Sequence, residues 1–171
     1  TILRPPVVYG PGDRESLRFF QVGRHRYVPV PGPADARATL IHVQDLVRLI
    51  AALAATEPAG TVMTAADARP QGYRRDEILC AAARAVGNNS PRLVRAPGLL
   101  LRAVALTGDL ARLFGSAAML NSQKLRELRH PDWSVPAEEL ARVPGWTPEF
   151  DLQTGFADAV AWYRREGWLP A

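Results

Sequence analysis

The sequence predicts a mixed α/β or α+β fold, and three observations carry that expectation. Helical periodicities alternate along the chain with short β-branched runs, proline and glycine punctuate most junctions, and no internal repeat, low-complexity tract or heptad array interrupts the alternation. The 171 residues suit one compact domain or a domain with a small lobe, and a hydrophobic fraction of 47% is enough to fill a core.

The elements follow in order. Ile2 to Tyr9 is a β-branched and aliphatic run broken by Pro5-Pro6. Two successive prolines remove two ladder donors, so a strand must end or lie at an edge there. Gly10-Pro11-Gly12-Asp13 is a sharp turn, and Asp13 can cap a helix carrying Leu17, Phe20 and Gln21. Short strands are expected at Tyr27 to Pro31 and at Thr39 to Val43. Leu46, Leu49, Ile50 and Leu53 then recur at i, i+3, i+4 and i+7 and mark one face of a helix, with Asp45 in the first turn, where the helix dipole favours a carboxylate.

Thr61 to Ala65 reads as a strand, and Ile78, Leu79, Ala82 and Val86 as a helix closed by Gly87. A strand at Leu93 to Arg95 precedes Pro97, which opens a long apolar helix to about Phe114. Leu99, Ala103, Leu106, Leu110 and Leu113 share one side of it, read as a buried packing face. Helices are also expected over 121–128, from Ser134 through Leu140, and after Asp151, where Leu152, Phe156, Val160 and Tyr163 form a stripe ended by Gly167.

The formal net charge is +4, and Lys124 is the only lysine. The arginines are spread along the sequence, which reads as composition bias on a solvated surface rather than a nucleic-acid interface. No apolar run reaches the ~20 residues that span a bilayer. Neither nucleic acid nor membrane is therefore expected as a partner. Cys80 is the only cysteine, which excludes an internal disulfide and fits a cytoplasmic location. It lies off the Ile78, Ala82 and Val86 stripe with no histidine near it in sequence, and reads as inert. The chain opens at Thr1-Ile2-Leu3 without an initiator Met or a signal-peptide pattern, as if entered in the middle of a domain.

Three stretches together resemble the extended short-chain dehydrogenase/reductase family, also called NAD-dependent epimerase/dehydratases. They are Leu3-Arg4-Pro5-Pro6-Val7-Val8-Tyr9-Gly10-Pro11-Gly12-Asp13, then Leu40-Ile41-His42-Val43-Gln44-Asp45-Leu46, and a C-terminal set comprising Gly145-Trp146-Thr147-Pro148, Gly155-Phe156, Trp162-Tyr163-Arg164 and Gly167-Trp168-Leu169. The resemblance covers essentially the whole chain. It implies an α/β fold: the C-terminal part of an NAD(P)-binding Rossmann-type enzyme, with a mixed helical substrate-binding lobe. Residues 1–171 would be a substrate-binding portion including the last Rossmann strands, its nucleotide-binding half lying outside the chain.

By the same resemblance, Pro5, Pro6, Val7 and Val8 border NAD or NADP, largely through the main chain, and Val8 also faces substrate. In open α/β sheets, ligands sit outside the carboxyl ends of the strands, where this break falls. The apolar Val7-Val8 pair leans towards reductase-like and hydroxysteroid-like substrates over sugar nucleotides. Arg14 and Arg37 are the candidates for gripping an anionic substrate group, since a guanidinium can hold phosphate in a bidentate fashion. Arg37 stands one residue out of the family's usual spacing, with Ala38 in the expected place. His42 and Asp45 look like an acid/base pair, but their place at a helix start favours capping and packing.

Absences bear equally on function. No Gly-rich dinucleotide fingerprint, Walker loop or G-x-S-x-G elbow occurs, and His25, His42, His130 and Cys80 lack metal-ligand spacing. The family's Tyr-x-x-x-Lys pair needs a tyrosine four residues before a lysine, and Leu120 stands four before Lys124. The chain alone is therefore expected to be inactive and, with apolar surface uncovered, poorly soluble. Its expected partners are a small-molecule substrate, the other half of the same protein and a possible second copy in a homodimer. The alternative is a non-catalytic binding or regulatory module that keeps the fold.

Overall fold

The computed structural model describes residues 1–57, 60–95, 127 and 130–171. The helices expected over 97–114 and 121–128 lie outside the described residues, apart from position 127. The elements in order are β1 (Ile2–Arg4), β2 (Val7–Tyr9), α1 (Arg14–Gly23), β3 (Tyr27–Val30), β4 (Arg37–Ala38), β5 (Leu40–His42), α2 (Val43–Ala54), β6 (Val62–Thr64), β7 (Tyr73–Arg74), α3 (Arg75–Ala85), β8 (Arg92–Arg95), β9 (Asp132–Trp133) and α4 (Leu152–Arg165).

Pro5-Pro6 divides the first apolar run between two sheets. β1 pairs in parallel with β6, Leu3 opposite Met63, while β2 pairs in parallel with β5, Val8 opposite Ile41. β3 and β8 form a third parallel pair, and β7-β4-β9 a mixed three-stranded sheet. Helices supply the long crossovers that parallel pairing requires.

Helix termini follow local chemistry. The Asp13 carboxylate accepts from the N–H groups of Glu15 and Ser16 at 2.9 and 3.0 Å to start α1. At α3, the Arg74 N–H donates to the Glu77 carboxylate at 2.8 Å. Asp151 caps α4 by accepting from Gln153 and Thr154, and the Thr154 hydroxyl accepts from the Asp151 N–H in return. Gly87 and Gly167 take positive φ just past α3 and α4, where an L side chain would be strained.

The main core joins the two ends of the chain. Tyr9 and Phe20 meet Phe156 edge to face, each with ring centroids 5.0 Å apart. α1 and α3 approach so closely that a Cβ at Gly23 would lie 2.9 Å from the Ala83 Cα. A second core places Ile41 and Leu49 against Ala65, Ala141 and Val143.

One expectation is corrected. Residues 134–140 are not helical: they form extended chain and a turn, and Leu140 makes a parallel bridge to Thr64. Thr64 N–H donates to the Glu139 carbonyl at 2.6 Å, and Ala141 N–H donates to the Thr64 carbonyl at 2.8 Å. A helix here would give up these bonds along β6. The helix expected from Leu46, Leu49, Ile50 and Leu53 forms as α2. Leu49 is fully buried, but Ile50 is 51% exposed, beside an equally exposed Val47. Ile2, Val7 and Val62 on the adjoining strands are exposed too. β1 and β2 each have one strand partner among the described residues.

Candidate functional site

The rim formed by Pro5 to Val8 is a break in backbone pairing. Before it, the Arg4 carbonyl accepts from the Ala65 N–H at 3.1 Å; after it, the Val7 N–H donates to the Thr39 carbonyl at 3.3 Å. Between them, prolines donate nothing, and among the described residues no N–H reaches the Pro5 or Pro6 carbonyl. Pro5 and Val7 are exposed, while Pro6 and Val8 are half-buried. With no partner among the described residues, these two carbonyls offer acceptors beside the apolar side chains of Val7 and Val8. Tyr9 anchors its far end, donating its hydroxyl proton to the Asp151 carbonyl at 3.2 Å; burial pushes that phenol far above its ordinary pKa and keeps it neutral.

The two arginine candidates stand on separate elements, and no contact joins them. Arg14 opens α1, its guanidinium 5.1 Å from the centre of the Trp168 ring. Arg37 lies on β4 and donates to the Gly72 carbonyl at 3.3 Å.

His42 and Asp45 are both fully buried and belong to a structural staple. The Asp45 carboxylate accepts from the N–H groups of Glu149 and Phe150, both at 3.0 Å, while the Asp45 carbonyl accepts from the Trp146 indole at 3.2 Å. Arg48 bridges Asp45 and Glu149. His42 caps α2, its Nδ1 accepting from the Gln44 N–H, and its ring stacks on Phe150 at 4.0 Å. Its Nε2 lies 3.3 Å from Asp158; burial lowers the imidazole pKa, and the Asp158 carboxylate opposes that shift. This packing gives the pair the capping role expected from its position. Cys80 is half-buried, and burial raises its pKa, which holds it as the unreactive thiol.

Sequence reasoning missed Asp67. This side chain is 3% exposed and lines a cavity of about 650 Å3 with Pro70, Leu140, Val143 and Trp146. Oδ1 accepts from the Arg69 N–H at 2.9 Å, and Oδ2 lacks a well-formed hydrogen bond. Burial pushes the carboxyl up to about 6, against the pull of the Arg69 N–H and the nearby Tyr73 hydroxyl. No local motif marks it, because its burial depends on residues some seventy positions later. Among the described residues, no group of histidine, cysteine or carboxylate side chains could hold a metal ion, and no helix is long and apolar enough to cross a membrane.

No family model matches the chain. The ceramide reductase of Caulobacter vibrioides is 38% identical to it over 170 residues, covering 99% of this chain and 52% of that protein. RMD from Pseudomonas aeruginosa, complexed with NADPH, superposes with a TM-score of 0.62 at 15% identity, over 96% of this chain and 47% of that one. UDP-glucuronic acid 4-epimerase from Bacillus cereus, in complex with UDP-glucuronic acid and NAD, gives 0.62 at 13% identity, over 97% and 45%. The chain thus spans about half the length of the proteins it matches. The chain therefore has the α/β fold of the C-terminal portion of these NAD- and NADPH-complexed proteins, the fold that the resemblance to extended short-chain dehydrogenase/reductases implies.

Proposed function

We propose that this chain is the substrate-side portion of an NAD(P)-dependent oxidoreductase acting on an apolar ketone or the corresponding alcohol. The observation that carries this reading is the Pro5-Pro6 step, where the backbone passes from one parallel sheet to another and leaves two carbonyls without a partner among the described residues, beside Val7 and Val8. Those carbonyls would accept from the carboxamide of NAD or NADP. Such a cofactor supplies hydride transfer to or from the carbonyl carbon of the substrate. Val8 would lie along the substrate, and Arg14 or Arg37 would meet an anionic group on it.

The apolar lining favours a lipid-like ketone over a sugar nucleotide, and the 38% identical relative is named a ceramide reductase. The nucleotide-binding half and the proton-transferring Tyr-x-x-x-Lys pair would lie outside these 171 residues. The exposed Ile2, Val7, Val47, Ile50 and Val62 supply an apolar flank for that half, since parallel sheets are ordinarily covered on both faces. A homodimer of the whole protein is compatible with this arrangement.

The test is cofactor binding and turnover by the full-length protein. NADH or NADPH should bind by calorimetry, and a long-chain ketone should consume it while UDP-sugars do not. Absence of binding heat with either nucleotide refutes the oxidoreductase reading. Turnover of a UDP-sugar but no ketone refutes the substrate class alone.

A further inference from the structure

The arginines are dispersed in sequence, but folding sets Arg92 opposite Tyr27 and brings the Arg26 guanidinium over the Tyr27 ring. β3 and β8 pair in parallel with Tyr27 opposite Arg92 and Pro29 opposite Val94. Residues paired in register point to the same side, and successive residues alternate. Val28 and Val30 therefore turn inward, at 0% and 1% exposure, while Tyr27, Pro29, Arg92 and Val94 turn outward. Tyr27 is 55% exposed and Val94 47%. The Arg26 guanidinium lies 5.6 Å from the centre of the Tyr27 ring.

Arg24 and Arg26 also line a shallow cavity of about 380 Å3 with Asn88 and Ser90. Their loop is held in place: the Asn88 amide donates to the Gly23 and His25 carbonyls, both at 2.9 Å. Among the described residues, no carboxylate pairs with Arg24, Arg26 or Arg92.

We propose that this face docks on an anionic lipid bilayer, with Arg24, Arg26 and Arg92 taking phosphodiester headgroups while Tyr27 and Val94 enter the interface. Guanidiniums with no carboxylate partner among the described residues are complementary to an anionic leaflet, and a tyrosine beside them has the amphipathy of a residue at headgroup level. The apolar part is two large side chains and a proline, too little for the core of a stable protein interface but suited to a shallow lipid contact. A nucleic acid would use the same charges but leave Val94 and Pro29 without a role. The surface departs from the expectation of no membrane partner because charges far apart in sequence converge only after β3 and β8 pair. It stands apart from the substrate reading above.

Sedimentation of the full-length protein with vesicles tests it. The protein should pellet with vesicles of phosphatidylcholine and phosphatidylglycerol in equal parts, not with phosphatidylcholine alone, and salt should release it. Replacing Arg24, Arg26 and Arg92 together by Gln should lower the partition coefficient about tenfold or more. Tyr27→Ser with Val94→Ser should lower it several-fold at unchanged net charge. Circular dichroism identical to wild type ensures that the variants are folded. The proposal is overturned by equal binding to both vesicle types or by an arginine variant that binds as well as wild type. It is equally overturned by release with inorganic phosphate but not sodium chloride of equal ionic strength, or by arginine-dependent capture of duplex DNA without vesicle binding.

Discussion

Asp45 and Asp67 are both buried carboxylates placed shortly after a short strand, yet the protein treats them differently. Asp45 is 0% exposed, and its oxygens receive two backbone N–H groups and a guanidinium. Asp67 is 3% exposed, but receives one backbone N–H, and its second oxygen lacks a well-formed bond. A buried charge is tolerated where donors replace its hydration and is otherwise driven towards its neutral form. Asp45 therefore holds a loop in place, whereas burial raises the pKa of the Asp67 carboxyl.

The largest effect should come from breaking the satisfied site. Asp45→Ala leaves two N–H groups without an acceptor and frees the loop that they anchor. The urea midpoint of the full-length protein should then report a loss of about 3–5 kcal/mol. Removing the unsatisfied carboxylate should act in the opposite direction. In the folded protein Asp67 titrates near pH 6, against 3.8 as the ordinary value, so the unfolded chain releases this proton first. Its contribution to stability is complete below about pH 4, falls as pH rises towards 6, and is lost above. Asp67→Asn should abolish that slope and raise stability at pH 7 by about 2 kcal/mol. Thermal midpoints compared at acid and neutral pH would show it, and a parallel loss at both pH values would contradict it.

The smallest effect sharpens the account of the staple. Glu149→Ala removes an exposed ion pair with Arg48 but keeps the 149 N–H on Asp45, so it should cost less than about 1 kcal/mol. A cost matching Asp45→Ala would move the anchor from the backbone of this loop to the Glu149 side chain.

Legibility in the sequence followed the range of the interactions. Asp13 and Asp151 could be read as caps because their acceptors serve N–H groups two and three residues away. Pro5-Pro6 announced a strand break by its covalent structure, and the turn and helix motifs carried the family resemblance. The two-residue strands β4, β7 and β9 carried no local signal, since each exists only through a partner distant in sequence. The expected helix over 134–140 failed for the same reason: Ser134 is a good cap, but backbone bonds to Thr64 outweigh it. At the site, His42 and Asp45 could be assigned to capping from position alone. Asp67, Asp158 and the gathered arginines were invisible because tertiary pairing, not spacing, brings them to their neighbours.

The aromatic core has a consequence for synthesis of the protein. Tyr9 bonds Asp151, and the Tyr163 hydroxyl sits 3.0 Å from the Gly10 carbonyl, so the first turns of the chain are completed by the last helix. While the ribosome still holds α4, Tyr9 and Phe20 lack the Phe156 ring on which both pack edge to face. Closure of this core must therefore wait until α4 has emerged.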